Sequence, residues 1–284
     1  MRRILIIGAT GTVGREVVGQ LLIENANVRA LVRNPDSANL PAHVETVRGD
    51  LTLPASLDTA LQHVDAVFLV WRAPVAAAEA AIERIGKHAG RVVFLSAPYR
   101  APHPFFQQPN PSASLHAELE RLIEASGLEW TFLQPGMFAA NALRWWMPAI
   151  RESDTIRWPC AEVPTAPIHE RDIAAVAVRA LCEEGHARKA YVLTGPESLS
   201  QRRQIGIIGD AIGRPLRFEE MAPDEARRVL SAQMSPAVAD MLLNAWSEAI
   251  GRPAYITSTV TDITGAAART FREWVIDHAA AFRP

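Results

Sequence analysis

The sequence predicts an α/β protein whose first part is a doubly wound parallel β-sheet. Short apolar runs alternate with segments of helical periodicity through the first half of the chain, which is typical of parallel strands linked by helices. A glycine-rich turn follows the first apolar run directly. Towards the carboxyl terminus helical patterns dominate, so we expect a smaller, mostly helical C-terminal domain that closes a substrate cleft.

The first strand is predicted at Ile4–Ile7, and glycines follow at positions 8, 11 and 14. In a strand–turn–helix unit the first glycine allows a tight turn, the second lets the backbone approach a pyrophosphate, and the third lets the helix pack close to the strand. The N-terminus of the helix also presents free N–H groups and a positive dipole to phosphates. The motif predicts a dinucleotide site formed by Gly8, Thr10, Gly11, Thr12, Val13 and Gly14.

The second strand, Val28–Val32, ends at Arg33. A carboxylate at this place binds the ribose 2′-hydroxyl of NAD, whereas a guanidinium suits a 2′-phosphate. Arg33 therefore favours NADP(H) as the cofactor; the alternative is a solvated arginine at a strand end. Asp50 follows the third strand, Val44–Val47, and its carboxylate either accepts from the adenine amino group or caps the next turn.

A helix is predicted at Pro54–Leu61. Two further strands are predicted at Asp65–Val70 and Arg91–Ser96, with a helix from Val75 to His88 between them. In open α/β sheets, ligands bind beside the carboxyl ends of the strands. The residues at these two ends are therefore predicted to contact the cofactor, namely Leu69, Val70, Trp71, Ser96 and Ala97.

A proline-rich loop at residues 100–111 carries His103, Phe105 and Phe106. A stiff aromatic loop beside a nucleotide site is typical of a lid or pocket wall, and an ordinary surface loop is the alternative. A helix at 112–127 and a strand at 130–134 follow. The end of that strand adds three predicted cofactor contacts, Gln134, Pro135 and Gly136.

The apolar stretch at 137–147 contains Phe138 and Trp146, which form either the floor of a substrate cavity or the core between two domains. Beyond it we predict a strand at 155–158, a helix at 171–185, the last strand of the sheet at 190–194, a helix capped by Ser200, a strand at 216–219 and helices near 223–233, 235–250 and 267–281. The pattern predicts a cofactor domain at 1–150, to which 165–195 return, and a smaller domain at 196–284.

The composition argues against several classes of function. Hydrophobic residues make up 49% of the chain and charged residues 21%, and the formal net charge is −2. Without a polybasic run, we expect neither nucleic acid nor a membrane as a partner. Cys160 and Cys182 lack a metal or disulfide spacing. We therefore predict a cytoplasmic protein without a bound metal, either a monomer or a homodimer.

Several stretches together resemble one family. They are the glycine motif at 7–14, the strand end at 31–35, and the segments 116–120, 133–136, 167–174 and 191–197. Over essentially its whole length the chain is similar to the NmrA-like proteins, atypical short-chain dehydrogenases/reductases, and within them to the NAD(P)H-dependent quinone oxidoreductases. The resemblance implies a Rossmann domain that binds NADP(H) across the sheet edge and a small C-terminal domain.

The chain departs from that superfamily at its catalytic pair. A tyrosine and, one helical turn later, a lysine usually lie on the helix predicted at 112–127. When Glu120 is aligned with the acidic residue of that helix, Ser112 takes the tyrosine position and His116 the lysine position. A serine hydroxyl is a poor acid, which argues against ordinary carbonyl reduction. His116 is the candidate catalytic residue, as a proton donor to a reduced quinone; alternatively it only holds the nicotinamide ribose.

The predicted substrate pocket consists mainly of aromatic side chains. Asp172 could orient His169, although a helix start is the interpretation we prefer for this pair. The pocket candidates are Trp71, Phe105, Phe106, Phe138, Trp146 and His169.

These residues predict an NADPH-dependent oxidoreductase that transfers hydride to a quinone or a similar conjugated electrophile. The missing tyrosine–lysine pair leaves two alternatives. One is a non-catalytic NADP(H)-binding redox sensor, which the NmrA resemblance also supports. The other is a biosynthetic reductase that acts on an enone or iminium. The aromatic pocket favours a reductase, because a sensor has no evident use for it.

Overall fold

The computed structural model describes residues 2–108 and 111–283, and only the backbone at positions 111 and 112. The strands in chain order are β1 (Arg3–Ile7), β2 (Asn27–Val32), β3 (Glu45–Arg48), β4 (Ala66–Leu69), β5 (Arg91–Leu95), β6 (Glu129–Pro135), β7 (Thr155–Trp158), β8 (Pro164–Thr165), β9 (Lys189–Leu193), β10 (Leu199–Ser200) and β11 (Arg217–Glu220).

The helices in chain order are α1 (Thr12–Ile23), α2 (Asp58–Leu61), α3 (Ala78–His88), α4 (Pro111–Ala125), α5 (Asn141–Trp145), α6 (Met147–Glu152), α7 (Glu170–Cys182), α8 (Gln201–Ile212), α9 (Pro223–Ser231), α10 (Pro236–Ala249), α11 (Thr259–Thr264) and α12 (Phe271–Phe282). The predicted cap of α8 is present, because the Ser200 hydroxyl accepts from the backbone N–H of Arg203.

The central sheet has seven strands in the order β3-β2-β1-β4-β5-β6-β9. Every neighbouring pair in it is parallel. The predicted doubly wound α/β fold is confirmed, with β9 as the last strand. The strand order reverses between β1 and β4, and a crevice for a ligand is expected at the carboxyl ends beside this reversal.

Successive side chains of β1 enter two different cores. Ile4 and Ile6 pack with α1 and α7 on one face of the sheet, whereas Leu5 and Ile7 pack with α3 and α4 on the other. Neighbouring side chains of a strand point to opposite faces. Because both faces are covered by helices, the strand is apolar throughout, which explains the unbroken apolar run in the sequence.

A third core holds the helical part of the chain. It combines α5, α6 and β7 with α8, α9, α10 and α12 around a cluster of four tryptophans, Trp145, Trp146, Trp158 and Trp246. Residues 139–150 pack in this core, and Val260 of α11 returns to the core formed by α1 and α7. The division of the chain into domains at 1–150 and 196–284 stays a prediction.

Two local predictions need correction. The segment 54–61 is not one helix, because a 3₁₀ turn at Pro54–Leu57 leads into the short α2. Helix α11 has no counterpart among the predicted elements. Its residues are mostly β-branched, which disfavours a helix locally, and buried packing of Val260 against the α1–α7 core compensates.

Candidate functional site

The turn between β1 and α1 forms the predicted pyrophosphate site. Gly8 has a φ of +96°, and a Cβ on Gly14 would lie 2.0 Å from the carbonyl oxygen of Gly8, so no side chain fits there. At Gly11 the backbone is extended, and a Cβ would meet only the Gly8 oxygen, at 3.4 Å. The fold itself therefore does not require glycine at position 11. The open space above it fits a phosphate that approaches the backbone.

The other predicted residues of this edge differ in what they can offer a cofactor. Thr10 and Thr12 are exposed, whereas the side chains of Val13, Leu69 and Pro135 are buried. Only the backbone of these three buried residues can reach a ligand at the edge. The half-buried residues Val70, Ala97 and Gly136 follow β4, β5 and β6, respectively.

Arg33 and Asp50 lie together at the ends of β2 and β3. Arg33 is exposed, and its charge is close enough to act on Asp50. Asp50 Oδ1 accepts from the backbone N–H and the hydroxyl of Thr52, both at 2.8 Å. These hydrogen bonds, helped by Arg33, lower the pKa of Asp50. Of the two roles considered for Asp50, the structure contains the turn cap, and the adenine contact stays a prediction.

Glu120 organises the ends of β5 and β6. This carboxylate is only 3% exposed and lies on the face of α4 that packs on the sheet. Its Oε1 accepts from the Ser96 hydroxyl at 2.5 Å and from Gln134 Nε2 at 2.9 Å, and its Oε2 accepts from the Tyr99 hydroxyl at 2.5 Å. Burial, together with this carboxylate, raises the pKa of Tyr99. Two of the side chains predicted to bind the cofactor, those of Ser96 and Gln134, are therefore turned towards Glu120.

His116 lies one turn before Glu120 on α4. It is half-buried, and its ring centroid is 6.0 Å from that of Phe94 in β5. This places His116 near β5, one of the strands at whose carboxyl ends the cofactor is predicted. The side chain of Ser112, which takes the tyrosine position in the superfamily alignment, lies outside the described residues. The catalytic role of His116 stays a prediction.

A narrow cavity opens beside the end of β6. Its volume is only about 20 Å³, and one side of it is open to solvent. Phe105 and Phe106 of the proline-rich loop form part of its wall, with ring centroids 5.0 Å apart and an angle of 83° between the planes. The loop is thus a cavity wall. The lining residues are His103, Phe105, Phe106, Gly136, Met137, Pro164, Thr165, Ala166, Thr194, Ala254 and Tyr255.

Few polar groups line this cavity. Thr165 Oγ1 accepts from Gln204 Nε2 at 2.8 Å, and Thr194 Oγ1 accepts from the backbone N–H of Thr257 at 3.0 Å. Each hydroxyl keeps its own proton to donate. Both nitrogens of His103 are engaged within the protein, because Nδ1 accepts from the Phe105 N–H and Nε2 lies 3.2 Å from the carbonyl oxygen of Pro253.

Three aromatic pocket candidates do not line the cavity. Trp71 is 6% exposed, donates its indole N–H to the carbonyl of Ala73 at 2.6 Å, and packs in the core on the α3–α4 face. Trp146 is 1% exposed in the tryptophan cluster of the third core. Phe138 packs against the core on the α1–α7 face. The buried surfaces of Trp71 and Trp146 stabilise the fold instead, whereas Phe138 is only half-buried, and its place in a pocket stays a prediction.

His169 is also a structural residue. It is 1% exposed and caps α7, because its Nδ1 accepts from the backbone N–H of Arg171 at 3.2 Å. Asp172 does not orient it, since both of its carboxylate oxygens bind Arg269. The helix-start interpretation is therefore the correct one.

Neither a metal site nor a membrane-spanning helix is found in the described part of the chain. Residues 2–108 and 111–283 contain no cluster of three or more His, Cys, Asp or Glu side chains suited to a metal ion. None of the helices described there is long and apolar enough to cross a membrane.

Sequence patterns missed several residues that the structure brings to the site. Tyr99 and the buried role of Glu120 depend on the meeting of a loop with α4. Thr165, Thr194 and Tyr255 come from three segments that are far apart in the chain. No periodicity or spacing signals these side chains, because only the folded chain makes them neighbours.

Comparison with known proteins gives consistent findings. A family model described as NAD(P)H-binding matches residues 8–184. The (4-alkanoyl-5-oxo-2,5-dihydrofuran-3-yl)methyl phosphate reductase of Streptomyces griseus is 39% identical over 286 residues, which cover 99% of each chain. The NAD(P)H azoreductase of Xenophilus azovorans is 37% identical over 290 residues, which cover 98% of this chain and 99% of the azoreductase.

The fold is also that of solved reductases. The NADPH-dependent quinone oxidoreductase of Escherichia coli, solved in complex with NADPH, superimposes with a TM-score of 0.77 at 23% identity. The match covers 97% of this chain and 99% of that one.

Proposed function

Because this chain belongs to the NAD(P)H-binding family, we propose that it transfers hydride from NADPH to a quinone or a similar conjugated electrophile. It is an NAD(P)H-dependent oxidoreductase with NADP(H) as its cofactor. The resemblance to the NmrA-like quinone oxidoreductases is confirmed. The bound dinucleotide supplies the hydride, and the protein binds and orients the two reactants.

One observation carries the proposed class of acceptor: the cavity beside the end of β6 has aromatic walls. Phe105, Phe106 and Tyr255 contribute flat apolar surface to its wall, against which the ring of a planar conjugated molecule can pack at the open mouth. The names of the two relatives describe reduction of a conjugated dihydrofuranone and of an azo compound. Both acceptors are planar and conjugated, as a quinone is.

The glycine turn and Arg33 are the proposed dinucleotide contacts. The accessible backbone at Gly11 and the N-terminus of α1 suit the pyrophosphate. The exposed guanidinium of Arg33 suits the 2′-phosphate, so we expect NADPH to bind more tightly than NADH. His116 keeps the two roles inferred from the sequence, contact with the nicotinamide ribose or donation of a proton.

The test combines binding and turnover in one preparation. NADPH and NADH are titrated by quenching of tryptophan fluorescence, and their oxidation is followed by absorbance with a panel of quinones, enones and azo compounds. Tight NADPH binding with oxidation that depends on the acceptor supports the proposal. Tight binding without turnover of any acceptor contradicts it and favours the redox sensor.

The cellular location and the oligomeric state of the protein remain predictions. A cytoplasmic location and a monomeric or homodimeric state fit an enzyme with a small-molecule acceptor. Size-exclusion chromatography with light scattering distinguishes the two oligomeric states.

A further inference from the structure

The chain contains three tyrosines, and their hydroxyl groups lie in three different settings. The Tyr99 hydroxyl donates to buried Glu120 at 2.5 Å, and the Tyr191 hydroxyl lies 2.9 Å from His186 Nδ1. Tyr255 lines the cavity, and its hydroxyl has no hydrogen-bond partner among residues 2–108 and 111–283. Of the three, it is the phenol available to a molecule in the cavity.

The segment that carries Tyr255 is fastened on both sides of it. The backbone N–H of Ala254 donates to the Ser198 hydroxyl at 3.0 Å. Thr257 donates from its N–H to Thr194 Oγ1 at 3.0 Å and from its hydroxyl to the carbonyl of Val192 at 2.9 Å. These bonds hold the segment across the end of β9, so the position of Tyr255 is set by the sheet.

The ring of Tyr255 is also held in place by the proline-rich loop. It meets Phe106 nearly perpendicularly, with centroids 6.3 Å apart, and lies 6.4 Å from His103. A Cβ on Gly136 would lie 3.4 Å from Cζ of Phe106, so Phe106 in turn lies over the end of β6. Tyr255 thus belongs to a packed aromatic wall that adjoins the predicted cofactor edge.

Apart from His116, which a separate variant tests below, the candidate proton donors near this edge are less suitable. Tyr99 is committed to Glu120, and burial with that carboxylate raises its pKa. Both nitrogens of His103 are engaged. Thr165 and Thr194 can donate hydrogen bonds into the cavity, but an aliphatic hydroxyl is far less acidic than a phenol.

We propose that Tyr255 is the proton donor to the acceptor, in place of the tyrosine that the superfamily carries on α4. This inference rests on the proposed function. His116 then keeps the other role inferred for it, contact with the nicotinamide ribose. The tyrosine that the superfamily carries on α4 is thus replaced by Tyr255, from a C-terminal segment that reaches the same edge of the sheet.

With an enone as acceptor, the bound dinucleotide would supply a hydride to the β-carbon, and the displaced π-electron pair would move onto the carbonyl oxygen. The O–H bond of Tyr255 breaks as a new O–H bond forms on that oxygen, and the enol product later becomes the saturated ketone. Tyr255 is half-exposed, so its phenolate regains a proton from water.

The principal variant is Tyr255→Phe, which removes the hydroxyl and keeps the ring packing. Tyr191→Phe is the matched control, since it removes a hydroxyl that lies outside the cavity lining. We expect Tyr255→Phe to lower kcat for an enone about 100-fold. The loss for a quinone is smaller, because a hydroquinone anion needs less help from an acid. Thermal unfolding of all variants checks that the fold is intact.

A second measurement needs no turnover. 4-Nitrophenolate is a planar aromatic oxyanion whose absorption band shifts when it accepts a hydrogen bond. We expect Tyr255→Phe to weaken its binding to the NADP⁺ complex about tenfold and to abolish the shift in its absorption band. Tyr191→Phe should leave both unchanged.

The outcomes separate the two proposals. If none of the tested acceptors causes the wild-type protein to oxidise NADPH, the proposed function fails. If wild type turns over an enone and Tyr255→Phe keeps its kcat, pH profile and nitrophenolate binding, the function stands and the role of Tyr255 is refuted. If His116→Ala lowers kcat for the enone as much as Tyr255→Phe was expected to, with the affinity for NADPH unchanged, the proton comes from His116 instead.

Discussion

The predicted cofactor edge, at the carboxyl ends of β1, β2, β4, β5 and β6, and the proposed acceptor cavity of this reductase are built in different ways. The edge centres on one contiguous turn, in which the backbone of α1 at Gly14 presses directly on the backbone of Gly8. The cavity is assembled from side chains of distant segments, and single hydrogen bonds such as the one between Ala254 and Ser198 hold those segments. Changes at the edge should therefore damage folding or cofactor binding, whereas changes at the cavity should alter the reduction of the acceptor.

The largest expected effect tests the backbone contact at the edge. In Gly14→Ala the new Cβ collides with the Gly8 carbonyl, and we expect the free energy of unfolding to fall by about 3 kcal/mol. Gly11→Ala is the matched control, because that position has room for a methyl group within the fold. Urea unfolding should leave Gly11→Ala as stable as wild type, while titration shows weaker NADPH binding. Equal stability of Gly14→Ala and Gly11→Ala would contradict the close backbone contact inferred at Gly14.

Glu120 tests the junction between the edge and the loop that leads to the cavity. In Glu120→Gln an amide N–H₂ faces donors where the carboxylate accepted from Ser96, Gln134 and Tyr99. We expect a loss of about 2 kcal/mol in the free energy of unfolding. Glu118→Gln, which weakens only a solvent-exposed ion pair with Arg121 on the same helix, should have a much smaller effect. A similar loss in both variants would show that Glu120 has no special role.

Arg33 tests the part of the predicted cofactor edge that would bind the adenosine. Arg33→Asp should weaken NADPH binding more than NADH binding by about 1.5 kcal/mol, because a charge-assisted hydrogen bond to the 2′-phosphate is replaced by repulsion. Fluorescence titration of both dinucleotides measures the difference. An equal loss for NADPH and NADH would mean that Arg33 does not contact the 2′-phosphate.

The smallest expected effect lies where α7 of the sheet region meets α12 of the helical region. His278 Nε2 is 3.3 Å from Glu170 Oε1, and Nδ1 is 2.8 Å from the carbonyl oxygen of Trp274. Both nitrogens thus face acceptors, and Asp277 and His169 are the other titratable groups nearby. The hydrogen bond to Glu170 raises the pKa of His278 above its ordinary value of 6.5.

Stability should therefore fall as pH rises through this raised pKa, since the folded state binds the proton more tightly than the unfolded state. The stability gap between wild type and His278→Gln should be complete below pH 6.5 and shrink above it, by at most about 1 kcal/mol. His186→Gln is the control, and its effect on stability should have the opposite dependence on pH, because burial lowers the pKa of His186. A pH series of thermal unfolding that shows the same slope for both variants would refute this assignment.

The glycine motif and the strand ends could be predicted from the sequence because each signal is local. Four apolar residues before Gly8 require a strand buried on both faces, and Gly14 follows from the close approach of helix and turn. The predictions failed where a side chain had two possible environments. Trp71 stands at the end of β4, and its place in the core follows from α3 and α4 covering that face of the sheet.

The sequence by itself determined the parallel sheet, the dinucleotide turn and the aromatic character of the loop at 100–111, because strand period, glycine spacing and composition act over a few residues. The tertiary structure decided which aromatic residues line the cavity and which form the cores. It also placed His169 at a helix cap and Tyr255 beside Phe106. Those outcomes depend on the packing of segments that are far apart in the chain, and no local pattern records which of them will meet.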